Sequence, residues 1–86
     1  MNNTMAKAGL VRLDPGDNVA VATRPLKRGQ TVEIGEQNLT VHAEIPAGHK
    51  IAVEAVQVGD SIIKYGQPIG LVTQTIRPGD HVHTQN

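Results

Sequence analysis

The chain has no cysteine. That excludes a disulfide framework and any thiolate metal site, and it accords with a reducing, cytoplasmic setting. Tryptophan and phenylalanine are also missing, and Tyr65 is the one tyrosine. The core must therefore come from Val, Ile, Leu and Ala, which favours short, tightly turned strands over a large cavity. Neither sign of charge is in excess: eight basic residues face eight acidic ones. Arg24, Lys27 and Arg28 form the only basic cluster and read as a solvated turn. A nucleic-acid surface needs a larger basic patch, usually with stacking aromatics, so no nucleic-acid partner is expected. No apolar run is long enough to span a bilayer, so no membrane partner is expected either. Serine occurs once, at Ser61, outside any nucleophile motif. No phosphate-binding glycine loop and no carboxylate pair for glycoside hydrolysis stand out.

What remains is one small domain of 86 residues. A chain this short buries only about 60–65% of its unfolded surface, so its core is thin. Residues 1–8 lack the order of a signal peptide and read as a flexible polar tail. Residues 9–86 read as the folded domain.

One pattern recurs five times: an aliphatic residue, two variable residues, a glycine and a polar residue. It runs from Leu13 to Asp17, Leu26 to Gln30, Ile45 to His49, Val56 to Asp60 and Ile76 to Asp80. The pattern predicts tight turns, with glycine supplying positive φ and the aliphatic residue pinning the turn to the core. Three copies hold proline before glycine, which stops a helix. The spacing is too irregular for a solenoid.

Between the turns lie short alternating runs. Val19 and Val21 share a face, as do Val32 and Ile34, then Leu39, Val41 and Ala43, then Ile51 and Val53. Further strands are expected over 62–64, 68–73 and 81–83, with a hairpin turn at Gly35 to Asn38. Period-two alternation between Gly/Pro punctuation predicts a compact all-β domain. Single helical turns before Gly29 and Gly59 are also compatible with the pattern.

His81 and His83 are two apart, so on an extended strand they project from one face. Two imidazoles there can bind a metal, exchange protons or hold an anion. The alternative is a pair of solvated histidines. Two ligands do not close a metal shell. Asp80 is a further ligand or the polar residue of its turn. His42 reads as a surface histidine, and Asp17-Asn18 as a local Asx turn capping a strand.

Four segments in order carry a resemblance: Asp17 to Ala22, Ile45 to Lys50, Ile63 to Gly70 and Gly79 to His83. Together they resemble the SAF-type domain of the altronate/galactarate dehydratase family of sugar-acid hydro-lyases. The resemblance covers nearly the whole chain after the tail. One departure is Gln85, which stands where the family often has a third histidine.

The resemblance implies a β-clip fold and a role as the small subunit or N-terminal domain of a sugar-acid dehydratase. It implies loss of water from a polyhydroxy acid, with a large catalytic part as partner and divalent iron(II) or manganese(II) as cofactor. His81 and His83 are then the catalytic or metal-binding contribution of this chain, which is expected to be inactive alone. His49 and Lys50 suit a substrate carboxylate, or else a polar turn. Lys64 beside Tyr65 suits a substrate edge, or else Tyr65 packs on the core while Gly66 turns the chain. The rival functions are the small subunit of a sulfolactate sulfo-lyase and a non-catalytic carbohydrate-binding or assembly module.

Overall fold

The computed structural model describes residues 9–12 and 14–82. The tail expected over 1–8, and His83 with the residues after it, lie outside the described residues. Eight strands are present: β1 (Leu10–Val11), β2 (Val19–Ala22), β3 (Thr31–Ile34), β4 (Gln37–Thr40), β5 (Lys50–Ala52), β6 (Ser61–Lys64), β7 (Gln67–Leu71) and β8 (His81–Val82). The described residues contain no helix, so the all-β, SAF-like expectation holds. β1 was not anticipated.

A four-stranded antiparallel sheet runs β1-β2-β5-β8 through the centre, flanked by the hairpins β3-β4 and β6-β7. Strand alternation places one apolar cluster on each side of it. Ala20, Ala22, Ile51 and Val53 pack with Leu26, Val32, Leu39, Val41 and Ile45. Val19, Ala52 and Val82 pack with Val56, Ile62, Val72 and Ile76. This explains a departure from the expected pattern in β2. Val19, Ala20 and Ala22 are all buried because both faces of that strand are covered.

The helical turns thought compatible with the sequence before Gly29 and Gly59 are absent. Leu26 bridges Ile45 there, and Val56 bridges Ile76, which uses their backbone groups across the chain. All five recurring turns close with the same backbone hydrogen bond, from the polar residue back to the third residue before it, at 2.9–3.0 Å. Gly29, Gly48, Gly59 and Gly79 have φ of 88°, 86°, 93° and 97°, as a type II turn requires. Gly16 does not take positive φ.

The hydrogen bonds also reveal an internal duplication. Gly29 N donates to Val41 O as Gly59 N does to Val72 O. Val41 N donates to Gln30 O as Val72 N does to Asp60 O. Gly48 N donates to Ala22 O as Gly79 N does to Ala52 O. Each unit is a turn, a hairpin and a second turn that delivers the chain to a strand of the central sheet. The units differ by a bulge in β7, where Ile69 is the extra residue opposite Ile62 and Ile63.

Asp17 joins the second hairpin to the sheet. Its side chain is fully buried and accepts the backbone N–H groups of Tyr65, at 3.0 Å, and Gly66, at 2.8 Å. Asn18 continues the seam, accepting from Ile63 N and donating to Ser61 O. The local Asx turn expected at this pair is therefore corrected. Asn18 and both oxygens of Asp17 serve residues more than forty positions away, where backbone groups of the second hairpin need partners.

Candidate functional site

Equivalent turns of the two units build the site. In the first, His49 N donates to Pro46 O at 3.0 Å, and His49 O accepts from Ala22 N at 2.9 Å. In the second, Asp80 N donates to Arg77 O at 3.0 Å, and Asp80 O accepts from Ala52 N at 2.9 Å. His49 thus enters β5 and Asp80 enters β8. Those strands are antiparallel neighbours, with Ile51 opposite His81. The register brings the two imidazoles together. His49 Nδ1 lies 3.0 Å from His81 Nε2, and the rings stack with centroids 5.1 Å apart. One nitrogen of that contact carries the proton and the other offers its lone pair.

A second pair adjoins the first. His42 Nδ1 lies 3.0 Å from Asp80 Oδ1, and His42 N donates to Gly79 O at 2.9 Å. Asp80 Oδ2 accepts from Arg77 N at 2.8 Å, and the Arg77 guanidinium is 3.5 Å from Oδ1. Partial burial pushes the Asp80 carboxyl up. The Arg77 amide, the His42 ring and the Arg77 charge together outweigh that and hold it below the usual carboxylate range. A surface cleft of about 340 Å³ opens here, with His42, Arg77, Asp80 and His81 on its walls. A larger depression of about 530 Å³ carries only Glu54 as a charged group and no imidazole.

His42 was expected to be a surface histidine. It is instead half-buried and held by Asp80, 38 residues away. Sequence spacing held no signal of it, because the partner arrives through the fold. The candidate residues divide between the two faces of the sheet. His49 and His81 meet on one face. Lys50 pairs with Val82 and lies on the other, the face that the second hairpin covers. Burial lowers the pKa of Lys50, and the charge of Lys64 lowers it further. Lys64 sits 4.9 Å from the centroid of the Tyr65 ring. Tyr65 is 61% exposed, so the alternative that it packs on the core is not met, whereas the turn at Tyr65-Gly66 is. His83 lies outside the described residues. Among the described residues no three His, Cys, Asp or Glu side chains group closely enough to hold a metal ion. No helix among them is long and apolar enough to cross a membrane.

Comparison with known proteins adds three findings. Residues 8–86 match the model of the altronate/galactarate dehydratase SAF domain. The altronate dehydratases of Bacillus subtilis (strain 168) and Escherichia coli (strain K12) are 37% and 38% identical to this chain, each over 76 residues. Those stretches are 88% of this chain and 15% of each relative. The (2R)-sulfolactate sulfo-lyase subunit alpha of Paracoccus pantotrophus is 43% identical over 56 residues, which is 65% of this chain and 84% of that subunit.

Proposed function

We propose, from the premise that this chain belongs to the altronate/galactarate dehydratase SAF domain family, that it is the small subunit or N-terminal domain of a sugar-acid dehydratase. It works in the cytoplasm beside a large catalytic part. The observation that carries the reading is the meeting of His81 with His49 beside the cleft that holds His42 and Asp80.

Removing water from a polyhydroxy acid has two requirements. The carbon acid beside the carboxylate must lose a proton, and its anion must be stabilised. The departing hydroxyl must be protonated, because hydroxide is a poor leaving group. An imidazole near neutral pH suits the second task. His81 would hold or deliver that proton, a role supported by its position in the cleft wall with one nitrogen against His49. His49 would exchange a proton with it across that contact. Arg77 supplies a positive charge on the cleft wall for a substrate carboxylate. Lys50 and Lys64, close enough for their charges to interact, would serve a carboxylate approaching outside that cleft.

The metal reading is tested by the donors present. His49 and His81 offer imidazole nitrogens 3.0 Å apart, and the described residues add no third ligand to them. Imidazole is a common iron donor, and carboxylates from the large part would suit either iron(II) or manganese(II). His81, together with His83, would then supply part of a shell that the large part completes. The ion would contribute positive charge for the enolate-like anion.

The sulfo-lyase reading has its own support in the Paracoccus subunit, of which this chain matches 84%. Loss of sulfite from a sulfo-acid needs the same carbon acid but a different leaving group. The test supplies the large part and ferrous iron with or without this chain, on sugar acids and on sulfolactate. Turnover of a sugar acid only when the chain is present supports the dehydratase. Turnover of sulfolactate alone replaces it with the sulfo-lyase. Equal turnover without the chain assigns it to binding or assembly.

A further inference from the structure

The internal duplication allows the second hairpin to be compared with the first, position by position. Ser61 pairs with Leu71 one step from the Ile62–Gly70 pair, as Thr31 pairs with Thr40 one step from Val32–Leu39. Ile62, Val32 and Leu39 belong to the buried clusters, so Leu71 and Thr40 take the outward side of their hairpins. Val58 precedes Gly59 as Arg28 precedes Gly29, and those glycines make the equivalent hydrogen bonds described above. Tyr65 and Gly35 each open the two-residue tip.

At these matched places the first unit has Arg28, Gly35 and Thr40, and the second has Val58, Tyr65 and Leu71. The bulge adds Ile69, which has no counterpart. The fold does not require apolar side chains there, because the first unit folds without them. Yet Val58 is 60% exposed, Leu71 64%, Tyr65 61% and Ile69 48%, and they are the large exposed apolar residues among those described. Tyr65 also takes φ of 58°, an unfavourable conformation for a side-chain-bearing residue, where the first unit uses glycine. Apolar exposure and backbone strain thus coincide in the second unit, a combination expected where a surface is kept for contact.

We propose that the exposed apolar residues of the second unit, Val58 in the turn before β6, Tyr65 at the tip and Leu71 on the outward side of β7, dock the large catalytic part. This rests on the dehydratase reading, which supplies that occupant: the altronate dehydratases extend far beyond the 15% of their length matched here. Contact is through side chains rather than by added strand pairing, because Pro68 removes an N–H from β7.

The absence of native cysteine provides a direct test. Val58→Cys and Leu71→Cys are alkylated in the 86-residue chain alone and in the assembled enzyme, with Arg28→Cys and Thr40→Cys as matched positions of the first unit. Each rate is read by peptide mass spectrometry. Docking predicts labelling about tenfold or more slower in the assembly at 58 and 71, with little change at 28 and 40. Equal rates at 58 and 71 in both states overturn the docking face while leaving the dehydratase reading intact. Protection that rises with the concentration of the chain alone identifies a second copy as the occupant and overturns the proposal. Failure of any assembly to form overturns the docking and the function together.

Discussion

His49 Nδ1 and His81 Nε2 meet at 3.0 Å although 32 residues separate them. Two turns of one design, at the entrances of neighbouring antiparallel strands, make that meeting possible. The geometry of the turns is therefore part of the site, and several consequences can be measured.

Gly79 is the most sensitive turn residue. A Cβ at that position would collide with the Thr40 carbonyl, and φ is 97°. Gly48, its counterpart, has positive φ but open space around it. Gly79→Ala is expected to cost about 3 kcal/mol or more, against about 1–2 kcal/mol for Gly48→Ala. Urea unfolding of both variants checks the ranking. Comparable losses at the two positions would contradict the close approach.

Asp17 ties the second hairpin to the sheet. Asp17→Ala leaves the N–H groups of Tyr65 and Gly66 without their buried acceptor. The expected loss is about 2–4 kcal/mol, a large share of the stability of so small a domain. Thermal melts of Asp17→Ala and Asp17→Asn test this, and Asn should recover part of the loss by keeping one acceptor oxygen.

Much of the strand plan was legible in the sequence, because alternation and Gly/Pro punctuation are local signals. Val32 and Ile34 fall in β3, and the strands expected over 62–64 and 68–73 overlap β6 and β7, but Gln37 and Asn38, expected in the hairpin turn, open β4, while Val41 and Ala43 lie beyond β4 and Val53 beyond β5. β1 escaped notice because Leu10-Val11 is too short to show a period. The site was less legible. His81 stood out by its spacing from His83, and His49 by its turn. The His42–Asp80 pair and the reach of Asp17 depend on contacts across 38 and 48 residues, which no local pattern encodes. The duplication was visible only as repeated turns until the hydrogen bonds gave the correspondence.

Asp80 gives a pH signature. Its folded pKa lies below the usual value, so its ionised form is stabilised by folding. That contribution is complete above the unfolded pKa of about 3.9 and is lost as pH falls through the lower folded value. The stability of Asp80→Asn should therefore approach that of the wild-type chain as pH falls below about 4. Chemical unfolding across pH 2–6 reads the difference, and a constant gap would contradict the assignment.

Tyr65 carries backbone strain at the tip of β6-β7. Tyr65→Asn should raise the stability of the chain by about 0.5–1 kcal/mol, since Asn-Gly suits a tip with positive φ at both residues. The Tm of the isolated chain checks it. A lower Tm would mean that the ring stabilises the domain more than its conformation costs.

The most direct measurement of the central claim is the split between kcat and KM for His81→Ala in the assembled enzyme. A proton-holding or metal-binding imidazole predicts a fall in kcat of about 100-fold or more with full assembly retained. An unchanged kcat, with any effect confined to KM or to assembly, would contradict a catalytic role for His81 and make this domain a binding module.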